Sequence, residues 1–176
     1  MLSEPHAKPL AEFVQSLREQ GFGDVPDFDP MDGGIRARVL FLFEKPGPKA
    51  SASGFISRNN DDKTAENTFN FMIQAGLRRE DVCIWNVVPA WNGTTKVSST
   101  ELRSGVESLK GLFALLPNLR VVVLVGKKAE RALPLLEGFG LVLLNSVHPS
   151  PKNYAIARDR WETIPAAWAR AKEYLT

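Results

Sequence analysis

Val39-Leu-Phe-Leu-Phe-Glu-Lys-Pro-Gly-Pro48 runs five apolar residues into an abrupt polar, proline-rich exit. The run is too short for an ordinary helix and carries no polar alternation, so it reads as a strand buried on both faces. Three more segments share the pattern: Val82-Cys-Ile-Trp-Asn-Val-Val88, Val121-Val-Val-Leu-Val125 and Leu141-Val-Leu-Leu144. Helical spacing or helix-start signals predict helices at about 7–20, 64–76, 99–115, 127–137 and 158–174. Ser98-Ser-Thr-Glu101 is a capping-box pattern, Asp61 and Asp62 look like a helix start, and Gly76 follows a helix end. The acidic stretch from Gly21 to Gly34, rich in Asp, Pro and Gly, reads as loop. Strand and helix in alternation, with two-face-buried strands, imply right-handed crossovers and an α/β fold: a three-layer α/β/α sandwich on a four-stranded parallel sheet.

The 176 residues, 44% apolar and 24% charged, have the composition of a globule with a core, and no linker divides them, so residues 1–176 are expected to form one domain. Nowhere do eighteen apolar residues run together, and Met1–Leu10 lacks the pattern of a secretory signal, so the expectation is a cytoplasmic protein without membrane attachment. One cysteine, Cys83, and two histidines, His6 and His148, cannot build a structural zinc site, an iron–sulfur cluster or an internal disulfide; neither a metal nor a cofactor is expected. Cys83, within a strand, is expected to be buried and inert. Net charge is +2 but uneven. Residues 1–35 hold seven acids and two bases, which leaves 20 of the 22 Lys+Arg and 13 of the 20 Asp+Glu to residues 36–176. That surplus suits a polyanionic partner, or it serves solubility alone.

Open parallel sheets bind ligands beyond the carboxyl ends of their strands. The four exits read Phe43-Glu-Lys-Pro-Gly-Pro48, Asn86-Val-Val-Pro-Ala-Trp-Asn92, Gly126-Lys-Lys128 and Asn145-Ser-Val-His-Pro-Ser-Pro151. Glu44 is either a solvated turn residue or a site carboxylate. An amide at Asn86, flanked by Ile84, Trp85, Val87 and Val88, is predicted to be buried, where either the fold or a ligand must satisfy it. His148 either caps a turn or faces a ligand, and Pro149 and Pro151 stiffen its loop. Gly126-Lys-Lys128 lacks the spacing of a nucleotide-hydrolysing loop and reads as a helix start. Trp91 is expected near a ligand, and Trp161 and Trp168 in the core.

Glu44-Lys-Pro-Gly47, Phe55, Asn86 and His148-Pro-Ser-Pro151 together resemble the motif series of the uracil-DNA glycosylase superfamily, in order and spacing, over about residues 38–170. The continuation Lys152-Asn153, with Trp161 beyond, is most similar to the single-strand-selective monofunctional branch. Glu-x-Pro-Gly instead resembles the iron–sulfur branch, whose cysteines this chain lacks. Phe43 stands where a glycine is usual, and Lys45 where several branches place a water-holding Asp or Asn, so the carboxylate falls to Glu44.

The resemblance implies hydrolysis of the N-glycosidic bond of uracil in single- or double-stranded DNA, as in base excision repair, with water as nucleophile. In that scheme Glu44 holds the water and His148 stabilises the leaving base. Phe55 stacks on the flipped base and Asn86 pairs with its edge, while Lys45, Pro46 and Gly47 complete the pocket. Ser150, Lys152, Asn153, Tyr154, Ile156 and Arg158 meet DNA, with Tyr154 or Ile156 as the wedge, and the protein is expected to act as a monomer. Lys45 beside the water would lower activity or change the substrate. Three alternatives stay open: a weak or inactive module that binds DNA or deaminated bases, a glycosylase preferring hypoxanthine or xanthine, and a small-molecule nucleoside binder.

Overall fold

The computed structural model describes all 176 residues. Four strands, β2 (Val39–Phe43), β4 (Val82–Asn86), β5 (Val121–Val125) and β6 (Val142–Ser146), form one parallel sheet in the order β4-β2-β5-β6. A short ribbon pairs β1 (Asp27–Phe28) in parallel with β3 (Phe55–Ile56), which follows the short helix α2 (Pro48–Ser53). Register between β2 and β4 matches Leu42 to Trp85 and Phe43 to Asn86. The continuous apolar runs follow from burial on both faces, and in β2, β4 and β5 only Phe43 is less than fully buried.

Side chains alternate across a strand, so each helix layer packs against its own subset of each run. On one face Trp85 stacks on Phe28 at 4.0 Å and meets Phe13 of α1 (Lys8–Glu19), which packs beside α4 (Ser99–Ala114). On the other, Phe41 meets Trp168 of α9 (Ile164–Ala169) edge-on at 4.8 Å, and α9 packs against α3 (Lys63–Gln74). Both layers and the sheet share a contiguous apolar cluster of 38 buried residues. Phe43 and Asn86 lie two residues beyond Phe41 and Ile84, so they emerge on the α3 face at the sheet's carboxyl end. No helix is long and apolar enough to cross a membrane.

Helix starts follow their predicted caps. Asp62 accepts a hydrogen bond from the Ala65 amide at 2.8 Å, and Ser98 with Glu101 closes the capping box of α4. Departures from expectation occur where proline or a fold contact intervenes. The stretch predicted as a helix over 127–137 is two short pieces, α5 (Lys127–Glu130) and α6 (Leu133–Leu136), because Pro134 has no amide to continue the ladder. The predicted last helix, 158–174, is likewise divided, into α8 (Arg158–Trp161), α9 and a 3-10 stretch at Arg170–Tyr174, with Pro165 starting α9 anew. An unpredicted short helix, α7 (Pro151–Ile156), precedes it across Ala157, which is out of helical geometry. Gly21–Gly34 is not all loop: Asp27–Phe28 pairs with Phe55–Ile56 and Gly34–Arg36 forms a single 3-10 turn.

Candidate active site

Phe43 ends β2 and Asn86 ends β4 in register beside it, and the ladder continues one step further through Val87 N–H to Phe43 O at 2.7 Å and Val88 N–H to Glu44 O at 2.8 Å. The Asn86 amide is therefore fixed by two paired strands. Its residue is 4% exposed, and the carboxamide makes no hydrogen bond within the chain. His148 arrives from the exit of β6 and packs edge-on against Phe43, ring centroids 5.4 Å apart and planes at 89°. Gly126 makes the approach possible. Its φ of +90° suits glycine, and a Cβ there would lie 3.0 Å from the His148 Cβ. Asn153 donates from Nδ2 to His148 O at 2.9 Å and Asn67 donates to Pro149 O at 2.9 Å, holding the histidine loop from two sides.

Between these exits and the segment 56–64 lies a cavity of about 440 Å³, lined by Phe43, Pro46, Gly47, Ile56, Arg58, Asn86, Thr95 and His148 among others. The imidazole makes no hydrogen bond inside the protein, and burial, assisted by Lys128, lowers its pKa to about 4. At neutral pH it is an uncharged ring with one N–H to donate. A buried free amide and a neutral imidazole thus face one cavity.

Glu44 sits beside this cavity rather than in its lining. Alternation turns it away from Phe43 toward α5, where its Oε1 lies 3.7 Å from the Lys128 Nζ. Its Oε2 is buried with no partner. Burial raises its pKa, partly offset by Lys128 and Arg131.

Lys45 is not a free cation at the site. Its side chain is 3% exposed, and its ammonium donates to Asn92 Oδ1 at 2.6 Å, Lys96 O at 3.0 Å and Glu101 Oε1 at 3.0 Å. All three donors are spent on tying the 92–97 loop to the start of α4, and only the rest of the residue lines the cavity. The expectation that Lys45 stands charged beside a water is corrected accordingly.

Phe55 is also displaced from its expected role. On β3 the side chains alternate, Ile56 turns into the cavity, and Phe55 does not line it; the aromatic wall is Phe43. Trp91 is likewise outside the cavity, its amide bonded to Asp24 O at 2.9 Å. Pro46 and Gly47 line the cavity as expected, and a Cβ on Gly47 would meet nothing within 4 Å.

The segment expected to meet DNA divides in two. Ser150 accepts from the Asn153 amide as the cap of α7, and Asn153 is bound to His148 O, so both organise the loop. Lys152, Tyr154, Ile156 and Arg158 are exposed, Ile156 at 70%. Tyr154 leans on Trp161 at 4.9 Å and lies under the Arg158 guanidinium, which also binds Glu162 at 2.9 Å. Trp168 is fully buried and Trp161 packs on Phe71 at 4.6 Å, both as expected of core residues. Cys83 is buried in β4, where desolvation pushes its thiol pKa up.

Sequence reasoning missed Arg58, Asp32 and Thr95. Arg58 is buried and pairs with Asp32 at 3.0 Å, and its neighbours Asn60 and Asp62 also line the cavity. Alternation from Ile56 was the available signal for Arg58, whereas its partner, 26 residues upstream in a presumed loop, left none.

A parallel α/β/α sandwich whose strand exits border a cavity large enough for a nucleobase, with an amide and an imidazole both free for a ligand, defines a ligand-binding class of protein. The model of the uracil DNA glycosylase superfamily matches residues 30–172, and the chain belongs to that superfamily. The solution structure of a proposed uracil DNA glycosylase from Methanosarcina acetivorans is similar in fold, with a TM-score of 0.56 and 20% identity over 78% of this chain and 92% of that one. No curated protein matches the chain's sequence. Membership supports a function of DNA glycosylase type, with DNA as the partner.

Proposed function

We propose that the protein is a monofunctional glycosylase that hydrolyses the N-glycosidic bond of uracil in DNA, with water as nucleophile. The observation that carries this reading is the convergence of the unbonded Asn86 amide and the neutral His148 on one cavity. An amide offers a donor and an acceptor side by side, the complement of a carbonyl next to a ring N–H. Uracil presents that pair as carbonyl then ring N–H and cytosine presents the reverse, amino group then bare ring nitrogen, so the selection requires the carboxamide to keep one orientation over the base. A buried amide left unpaired by the wrong base costs on the order of 1–3 kcal/mol or more, so rejection is strong.

Departure of the base leaves positive charge on the sugar and negative charge on the base. Glu44, outside the base cavity with one buried oxygen free, suits the sugar side, where it holds the attacking water and accepts its proton. His148 donates to the carbonyl oxygen that becomes negative, and Phe43, rather than Phe55, supplies the aromatic surface for the base. Gly47, uncrowded by the protein, leaves its side of the cavity open to a ligand. The flipped base leaves a gap in the stack, which Ile156, the most exposed apolar side chain of the loop, fills while Lys152 and Arg158 meet phosphates. All these groups come from one chain.

Labelled single- and double-stranded oligonucleotides carrying U, hypoxanthine, T or C, followed by alkali, test the reading. Strand breakage at U, lost in Glu44→Gln and His148→Ala, is expected. Retention on DNA without an abasic product would overturn it in favour of a binding module, and breakage at hypoxanthine alone would move the substrate to a deaminated purine.

A further inference from the structure

The cavity wall opposite the strand exits carries a guanidinium that the proposed reaction has not yet used. Arg58 is 4% exposed at its side chain and lines the cavity with Asn86 and His148. Its Nη2 donates to Asp32 Oδ1 at 3.0 Å, and its Nε is buried with no acceptor. The same Asp32 oxygen also receives Arg79 Nε at 3.0 Å, and Arg79 reaches Asp29 at 2.7 Å. Asp29 is further occupied by the Met31 amide and the Ser57 hydroxyl. Arg79 therefore engages both carboxylates, and Arg58 shares a single oxygen of one, although Asp32 Oδ2 stays unpaired.

A buried charge is costly unless it is fully paired, and arginine cannot shed its proton. Arg58 is thus held in the wall with donor capacity unspent. Other charges near the cavity are either committed elsewhere or solvated. Lys45 is saturated by three acceptors, Lys49 is 56% exposed and lies 3.9 Å from Asp61, and Asp62 caps α3.

We infer that Arg58 is a further catalytic residue, the fixed cation that takes up the negative charge of the departing base. The inference rests on the glycosylase reading above. In that reaction the bond between base N1 and sugar C1′ breaks and its electron pair goes to the base, spreading over the ring carbonyls. Water adds to C1′ and gives its proton to Glu44, leaving an abasic sugar and a base anion that solvent protonates. The uncharged His148 lowers the anion's energy through one hydrogen bond; Arg58, singly paired with Asp32, adds the positive end of a buried ion pair in a desolvated setting, where charge acts most strongly.

The test compares leaving groups. Single-turnover rates are measured on oligonucleotides carrying uracil and 5-fluorouracil, whose more acidic ring leaves with less help. Arg58→Met is expected to lose about 10²-fold on uracil and less than about 10-fold on 5-fluorouracil. Arg58→Lys, which keeps the charge, is expected to retain the wild-type ratio between the two. Equal losses on both bases, the signature of a merely structural role, would overturn the inference, as would no loss at all.

The unaltered protein gives a second measurement that does not depend on a variant folding. Free 5-fluorouracil, the more readily ionised base, is expected to inhibit more strongly than free uracil at mildly alkaline pH, and equal or weaker inhibition counts against Arg58. If the wild type releases neither base, the glycosylase reading falls and takes the inference with it. If it releases both and the ratio is unmoved by Arg58→Met, only the role of Arg58 fails.

Discussion

The two sides of the cavity are built by different physics. Phe43, Asn86 and His148 stand at strand exits, positioned by parallel ladders buried on both faces, and their polar groups are left free. Ile56 to Asp62 stand on a segment anchored by one two-residue ribbon and by the ion network of Asp29, Asp32, Arg58 and Arg79, where polar groups are mostly engaged with each other. The first side is held by apolar burial and free to do chemistry; the second spends most of its charge on staying in place, with Arg58 keeping donors to spare. Substitutions on the first should therefore change rate with little loss of stability, and substitutions on the second, Arg58 apart, should change stability first.

The largest expected effect is on rate. Glu44→Gln keeps shape and removes the carboxylate that would accept the water's proton, so kcat on a uracil oligonucleotide is expected to fall by about 10²–10⁴-fold with thermal unfolding nearly unchanged. A large drop in Tm alongside would place Glu44 among the structural residues instead. Next comes Asp32→Ala, on the other side. It leaves Arg58 buried without its partner, and removal of one member of a buried pair costs about 3–5 kcal/mol, read by chemical denaturation. A loss under about 1 kcal/mol would show that the network does not hold the wall.

The same contrast explains what was legible in the sequence. The four strands and the positions of Asn86 and His148 could be read because two-face burial writes continuous apolar runs, and because ligand groups in such sheets sit where the runs stop. Pro134 and Pro165 stand inside stretches of helical spacing, and the divisions of those helices follow from them. The wall side was not legible, because its structure depends on pairings between residues 26 to 50 apart that no local pattern announces. Lys45 shows the limit most plainly. Its position beside a site carboxylate suggested chemistry, and only the partners Asn92, Lys96 and Glu101, brought in by the fold, reveal a brace.

That brace gives an intermediate prediction. Lys45→Met removes the hub of the 92–97 loop and its ammonium's bonds to Asn92 and Glu101, though Glu101 keeps its bonds from the Ser98 amide and from Asn92 Nδ2. A loss of about 1–3 kcal/mol is expected, since the ammonium is buried but Glu101 is partly solvated. KM for DNA should rise more than kcat falls, because Thr95 at the cavity rim loosens while Glu44, Asn86 and His148 stay in place. A kcat loss matching that of Glu44→Gln would mean that the ammonium acts in catalysis after all.

The smallest effect concerns pH, and its sign follows from burial. His148 titrates at about 4 when folded and near 6.5 when unfolded, so the native state binds its proton less readily than the unfolded one. Its contribution is fully present above about pH 6.5 and is lost as pH falls toward 4, on the order of 3 kcal/mol across that window. His148→Asn should flatten this part of the stability profile, leaving the variant relatively better off at pH 4.5 than at pH 7.5. The rate profile separates His148 from Glu44. Because the imidazole is already neutral, kcat should show no inflection at 6.5, and its acid limb should follow Glu44, whose burial places that limb above the usual carboxylate range. An inflection at 6.5 that disappears in His148→Asn would mean that the working form of the imidazole is its cation, and the hydrogen bond assigned to it would have to be replaced by a full charge.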